Sequence, residues 1–436
     1  MEINMYASVI GKIFLDEYNH RNRKNFTAKE YFEKEFVPLF FDHEKYMIHG
    51  GNSKITNPSI KENTKRKIDL LINQIDKDPE SSSAIGYPST DLTATTSGQL
   101  SSIKLPIDSK SIYYSWIGAG LGIETENGLA MYFQNPNILY DISKGWNHYR
   151  KLLNERKQLN SYQVERWNGN WLGHLYNDQK ISMTVEPNPE EFIITANRNL
   201  SVSAEKWGKI LIRISQEYSD INLLVYVYKI SKTNKTIGFV PIKLEEFQRP
   251  IYFYKKIFGL PTYIKDAKKV EEILGNNYGF FAACNHGSIG IKAIEPKVLR
   301  QYIPNKYRKA RFPKLSNNEN EQIIFKTNLV WVCAMLNNEQ LIEQADKAAK
   351  IFLSFKSVAS RGKTTESQTI KEILESTSPK IFINGLVPIL EKSSRETADS
   401  LNFLVSELNK MPRENFSYFI TLIRFKYAYH NRKEQS

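Results

Sequence analysis

The sequence contains only two cysteines, Cys284 and Cys333, among 436 residues. Two cysteines can form neither a framework of disulfides nor a zinc site built from cysteine pairs. No apolar run approaches the roughly 20 residues that cross a bilayer, and the first residues lack the layout of a secretory signal peptide. We therefore expect a soluble protein of the cytoplasm that does not associate with a membrane.

Sequence signatures of several enzyme classes are also missing. There is no H-E-x-x-H zinc motif and no G-x-S-x-G nucleophile elbow. The stretch WIGAGLGIETENG spaces Gly118, Gly120 and Gly122 evenly, but it lacks the third glycine of the dinucleotide fingerprint and the Gly-Lys-Ser/Thr of a P-loop. Neither a metal nor a cofactor is predicted.

The same stretch indicates a β-hairpin instead of a phosphate-binding loop. Asn127-Gly128 is a strong turn signal, and the LAMYF that follows is typical of a returning strand. We predict one long strand over residues 112–123, in which the glycines permit a bend or the close approach of another backbone.

Hydrophobic periodicity divides the chain into two parts. Helices are predicted near residues 6–18, 28–36, 68–75, 137–158 and 204–216, strands near 192–195, 223–228 and 237–244, and an irregular aromatic segment at 167–172. Beyond residue 328 only helical patterns remain. The prediction is an α+β fold, in which a mixed α/β N-terminal domain (1–325) with antiparallel hairpins and room for two subdomains precedes an all-α C-terminal helical bundle (326–436). In the last helix, Arg424 is placed off the apolar stripe.

The balance of charge favours a polyanionic partner. Sixty Lys+Arg face 47 Asp+Glu, which gives a formal net charge of +13. The charge is concentrated in PKVLRQYIPNKYRKARFPKL, residues 296–315, called here the basic segment, which has no acidic residue and three interleaved aromatic rings. Cations neutralise phosphates and rings can stack on splayed bases, although a solvated basic loop is the alternative. The predicted nucleic-acid-binding residues of this segment are Lys306, Arg308, Lys309, Arg311 and Lys314.

A metal-dependent nuclease is the alternative function. Asp91, followed by Asp108 and Lys110, has the loose spacing of a type II restriction-like endonuclease, in which carboxylates hold Mg²⁺ and a lysine polarises water. Acid-x-Lys triplets arise repeatedly by chance in a chain this rich in lysine, so the match carries little weight.

Several phrases together resemble the large subunit of type I CRISPR interference complexes (Cascade). They are AKEYFEKEFVPLFFD, TTSGQL, SWIGAGLGI, GWNHYRKLL followed by ERWNGNWL, and FSYFITLIRFKYAY. The resemblance spans most of the chain. It implies a non-catalytic subunit in antiviral defence that works with target DNA, guide RNA, the other effector-complex subunits and a recruited helicase-nuclease. Some members of that family carry zinc-binding cysteine pairs, which this sequence lacks.

The resemblance also implies a division of labour between the two parts. The N-terminal domain of such subunits reads the protospacer-adjacent motif and helps to open the duplex, and the C-terminal bundle lies along the displaced or target strand. In this chain Gln99, in the TTSGQL turn, is the candidate for contacting a base edge and Lys104 for a nearby phosphate. An ordinary polar turn is the alternative interpretation.

Overall fold

The computed structural model describes residues 5–48, 61–87, 107–125, 128–176, 192–218, 222–229, 235–258, 279–285, 287–307, 309–359 and 364–433. The chain forms two compact units, Met1–Glu245 with Tyr278–Gly290, and Glu246–Asn277 with Ile291–Ser436. The first unit contains a small antiparallel sheet together with helices, and the described elements of the second are helical. The predicted α+β class is confirmed. Among the described residues, no helix has both the length and the apolarity needed to cross a membrane.

Strands alternate with helices in the first part of the chain, and from Leu244 onward the described α and β elements are all helices. The helices are α1 (Tyr6–Asn22), α2 (Ala28–Tyr31), α3 (Val37–Phe40), α4 (Lys61–Lys77), α5 (Ser109–Ala119), α6 (Pro136–Glu155), α7 (Val164–Leu175), α8 (Trp207–Glu217), α9 (Leu244–Phe258), α10 (Phe280–Cys284), α11 (Glu319–Leu336), α12 (Glu339–Ala359), α13 (Thr364–Leu374), α14 (Pro379–Leu390), α15 (Arg395–Lys410) and α16 (Phe416–Lys433). The strands are β1 (Ile123–Thr125), β2 (Leu129–Phe133), β3 (Phe192–Ile194), β4 (Leu200–Val202), β5 (Asn222–Lys229) and β6 (Lys235–Lys243). A π-helical segment, Phe32–Phe36, connects α2 to α3.

The sheet of the first unit has the strand order β1-β2-β5-β6, and every neighbouring pair is antiparallel. In the first pair, Ile123 lies opposite Met131 and Thr125 opposite Leu129. Gly128 precedes β2 with a φ of 69°, a conformation that glycine adopts without steric cost. The hairpin predicted from the Asn-Gly signal is therefore confirmed, as is the pairing of β5 with β6.

The long strand predicted over residues 112–123 is wrong, because most of that stretch forms α5. Its N-cap is Asp108, whose carboxylate accepts a hydrogen bond from the Ser111 amide at 2.6 Å. Every residue from Ile112 to Ala119 is buried. A helix buried on all sides shows the same continuous apolar run as a buried strand, so hydrophobic periodicity could not separate the two.

The aromatic segment at 167–172 was predicted as irregular, and this prediction is also wrong, because the segment lies within α7. The Trp167 indole N–H donates to the Gly145 carbonyl at 2.8 Å. The buried Asn168 amide donates to the carbonyls of Gly120 and Gly122 at 2.9 and 2.8 Å. Asn and Gly are common in loops, but here they permit close packing and bond to the end of α5.

α1 and α5 approach each other closely at two glycines. A Cβ on Gly118 would lie 1.9 Å from the carbonyl oxygen of Ala7, and a Cβ on Gly11 would lie 2.0 Å from that of Tyr114. Neither distance is possible for a real carbon atom, so only glycine permits this contact. The close backbone approach expected of the glycines is confirmed at Gly118.

The second unit is a bundle in which α12 lies against α16. Asp346 of α12 joins the two helices, with its carboxylate 2.8 Å from Lys350, 2.9 Å from His430 and 3.3 Å from Lys426. Burial acts to raise the pKa of Asp346, but these three partners outweigh it and lower that pKa to about 2. The carboxylate is therefore ionised throughout the physiological range of pH.

The division of the chain into compact units differs from the one drawn from sequence patterns. The predicted boundary at 325/326 falls inside α11, and the second unit begins at Glu246. α9 belongs with the bundle, where Lys256 donates to Glu339 of α12 at 2.7 Å. Sequence patterns locate the change from strands to helices, whereas compact units depend on which elements touch.

We predict that Gly118→Ala destabilises the first unit by about 2 kcal/mol or more, because the added methyl group forces α1 away from α5. Chemical denaturation of the full chain measures the change. Gly173→Ala is the matched control: its Cβ would meet no atom nearer than 3.9 Å, and a helical Gly→Ala exchange with free space stabilises by up to about 1 kcal/mol. Equal effects of the two substitutions would contradict the α1–α5 contact.

Candidate nucleic-acid interface

The basic segment belongs to the second unit and has little regular structure. It begins with a single 3₁₀ turn, Lys297–Gln301, and prolines at 296, 304 and 313 prevent the longer helix that its length would allow. Leu299, Tyr302, Pro304 and Pro313 are buried and point into the unit. The segment is therefore packed at intervals against the rest of the second unit, and its other described side chains are half-buried or exposed.

A buried arginine fixes the middle of the segment. Arg424 of α16 is only 1% exposed, and its Nη2 donates to the carbonyls of Ala310 at 3.3 Å and Arg311 at 3.0 Å. Its guanidinium also lies 5.2 Å from the centre of the Phe312 ring. Burial lowers the pKa of Arg424 to about 10, so the group still carries its charge near neutral pH.

The side chains that alternate with these anchors are exposed cations. Lys306, Lys309, Arg311 and Lys314 all lie on the surface, and within the described residues none of them forms an ion pair. The ring of Tyr307 is 94% exposed between two of the lysines. Arg308, which was predicted to join them, lies outside the described residues.

The acidic residue nearest in sequence, Glu295, is buried. Its pKa is raised by burial, with a hydrogen bond from Tyr418 acting in the opposite direction, and Arg300 lies 3.9 Å away. Glu295 therefore adds little negative charge to the surface of the basic segment, which remains strongly cationic.

The structure describes only part of the other predicted sites. Gln99, Lys104 and Asp91 lie outside the described residues. Asp108 caps α5, and Lys110 lies 5.8 Å from the centre of the Tyr114 ring. Within the described residues no group of three or more His, Cys, Asp or Glu side chains is arranged to hold a metal ion.

Arg424 is the functional residue that the sequence analysis missed, because it was placed off the apolar stripe of the last helix. It lies four residues after Ile420 and three before Tyr427, and both spacings place side chains on one helix face. Those two residues are buried, so the spacing was a usable signal. An arginine on the buried face of a helix indicates that a hydrogen-bond acceptor lies buried beside it. Here the acceptors are two main-chain carbonyl groups of the basic segment.

Comparison of the chain with protein-family models, with curated proteins and with solved structures finds no match. Function must therefore be inferred from the chain's own side chains. On the basic segment, the second unit presents exposed cations together with the exposed rings of Tyr307 and Phe312, and the buried Arg424 fixes the backbone between them.

We predict that Arg424→Lys loosens the basic segment, because the shorter lysine side chain places its donor farther from the two carbonyls and loses the contact of the planar guanidinium with the Phe312 ring. Trypsin should then cleave after Lys306, Lys309 or Arg311 several-fold faster, as measured by limited proteolysis with mass spectrometry. Arg395→Lys, at an exposed position on α15, is the control and should leave the rate unchanged. Equal rates in wild type and Arg424→Lys would show that this arginine does not hold the segment.

Proposed function

We propose that this chain is a non-catalytic nucleic-acid-binding protein whose basic segment contacts the phosphate backbone. The observation that supports the proposal is the exposure of Lys306, Lys309, Arg311 and Lys314 on a backbone fixed by Arg424. Each cation that replaces a condensed counterion on a phosphate adds favourable, salt-dependent free energy. A fixed backbone lowers the entropy that is lost when these side chains engage a ligand.

The aromatic rings of the segment add a second kind of contact. Tyr307 is almost fully exposed and Phe312 is 37% exposed, and a solvent-exposed ring among cations can stack on an unpaired base. Stacking of this kind contributes about 1–3 kcal/mol per base and tolerates any sequence. The segment is therefore suited to binding a strand without reading its sequence.

The finer proposal is that the chain is the large subunit of a type I CRISPR Cascade complex. The sequence phrases given above support it, and a sheet-containing first unit followed by a helical second unit is compatible with the two-part plan of such subunits. In this role specificity comes from pairing between guide RNA and target DNA, while the protein contributes motif reading and backbone contacts. The remaining partners would be the other complex subunits and the recruited helicase-nuclease.

We predict that replacing Lys306, Lys309 and Lys314 by Glu weakens nucleic-acid binding at least about tenfold at low salt, alike for all sequences. The slope of log affinity against log salt should fall by about 2, since each phosphate contact on a single strand contributes about 0.7. Fluorescence anisotropy with labelled oligonucleotides at several salt concentrations measures both quantities.

The control is the same exchange at Lys347, Lys392 and Lys410, which are exposed elsewhere in the second unit. Three Lys→Glu exchanges change the charge by 3 × (−2), from +13 to +7, in either variant. Only the variant in the basic segment should lose affinity. Equal losses would mean that binding follows net charge, and unchanged affinity in both would contradict the assignment of this surface.

We predict that the full chain co-purifies with the products of neighbouring genes and with a guide RNA when all are expressed together. Mass spectrometry of the assembly and sequencing of the bound RNA test this directly. Recovery of the chain alone, without RNA, as a Mg²⁺-dependent enzyme that cuts a DNA palindrome would contradict the Cascade proposal. Loss of such cleavage in Asp108→Ala would then establish the nuclease alternative.

A further inference from the structure

The first unit contains a cavity of about 340 Å³ that has no role in the proposed nucleic-acid binding. Its walls come from α1, from the end of α2 with the π-helical segment and α3, and from α6. A π-helical turn widens the helix by one residue and occurs frequently at functional sites. The volume lies at the lower end of the range for ligand pockets, about 300–1,000 Å³, so it suits a small molecule and not a macromolecule.

One end of the cavity is acidic and aromatic. The rings of Tyr18 and Tyr31 meet edge to face with their centres 4.9 Å apart, and the half-buried Glu35 lines the cavity beside them. Burial, followed by the charge of Glu35, raises the pKa of Tyr18, which lines the same cavity. Within the described residues Glu35 has neither an ion pair nor a hydrogen bond.

The neighbouring residue in the sequence, Lys34, does not neutralise this carboxylate. Lys34 also lines the cavity, but its ammonium group lies 3.6 Å from Glu30 and 5.6 Å from the centre of the Phe26 ring, and neither residue belongs to the cavity wall. A carboxylate beside two electron-rich rings is the arrangement that attracts an organic cation, through Coulomb attraction and cation–π contact.

The wall contributed by α6 is cationic. Arg150 donates from Nε to the Leu39 carbonyl at 2.7 Å and from Nη1 to the Lys45 carbonyl at 2.9 Å. Its Nη2, like the indole N–H of Trp146 on the same wall, is buried and has no partner among the described residues. Burial lowers the pKa of Arg150 to about 10, so this wall keeps a positive charge that favours a carboxylate.

We propose that the cavity binds a zwitterionic small molecule of the amino-acid class. The ligand's ammonium or guanidinium group lies by Glu35 and the rings of Tyr18 and Tyr31, and its carboxylate lies toward Arg150. A simple anion would meet the unpaired Glu35, and a simple cation would meet Arg150. Only a ligand that carries both charges matches both walls. This site is independent of the basic segment, which lies in the other unit.

The test uses the full chain and each proteinogenic amino acid as a probe. Thermal shift identifies the amino acid that raises the Tm most, and isothermal titration calorimetry then measures its Kd. The amine that lacks its carboxylate should bind at least about tenfold more weakly, since a lost charge-assisted hydrogen bond of about 1.5–3 kcal/mol corresponds to a factor of ten or more. Glutarate, which has only carboxylates, should not bind.

Glu35→Gln should weaken binding of the best amino acid at least about tenfold, and circular dichroism should show that it folds, because no ion pair or hydrogen bond of Glu35 is lost. Glu33→Gln is the matched control: it lies on the same π turn, faces Lys29 at 3.7 Å and does not line the cavity. The Glu33→Gln variant should bind the best amino acid with the same affinity as wild type. Absence of saturable binding by any amino acid, an unchanged Kd in Glu35→Gln, or equal binding of glutarate would each overturn the proposal.

Discussion

Main-chain carbonyl groups in loops and at helix ends need hydrogen-bond donors, and in this protein long polar side chains supply several of them. Arg150 donates to the carbonyls of Leu39 and Lys45, and Lys45 in turn donates from Nζ to the carbonyl of Leu159 at 2.7 Å. Arg424 does the same for two carbonyls of the basic segment. Leaving such a buried group unpaired costs about 1–3 kcal/mol, so the course of each loop depends on its donor.

This constraint explains why each candidate site lies beside an arginine that donates to main-chain carbonyls, the buried Arg424 at the basic segment and the half-buried Arg150 at the cavity. A guanidinium presents five donors in one plane and stays charged when buried, so it can hold two carbonyls at once. At the basic segment the carbonyls point inward to Arg424, and the lysines between the anchors therefore face solvent. At the cavity the same arrangement fixes the backbone around Leu39, which closes the wall next to the π-helical segment.

The net charge of +13 thus has two structural roles that composition alone cannot separate. The buried Arg424 acts as a hydrogen-bond donor to the backbone, and it adds no charge that an external phosphate could reach. Lys306, Lys309 and Lys314 of the basic segment form no ion pair within the described residues and remain available to a polyanion. Elsewhere in the second unit, cations are used to surround Asp346 and join α12 to α16.

The sequence by itself determined the elements whose pattern is set by local geometry. Helices α12 to α16 follow from periodicity, because one face of each is apolar and the other polar, and the hairpin at Gly128 and the pairing of β5 with β6 follow from turn chemistry and strand patterns. The concentration of cations in the basic segment could also be read directly, since charge is a property of the residue and not of its surroundings.

Tertiary structure alone decided the features that depend on contacts between distant residues. α5 and α7 are buried on more than one side, so their sequences lose the hydrophobic periodicity that identifies a helix. The Asn168 side chain donates hydrogen bonds to main-chain carbonyls almost fifty positions earlier in the sequence. The cavity is lined by residues of α1, the π-helical segment and α6, which are distant in the sequence. Arg424 points inward because a main-chain carbonyl of the basic segment lies beside α16 and accepts a hydrogen bond from it. Such contacts are invisible in a linear pattern because burial and charge pairing are set by neighbours in space.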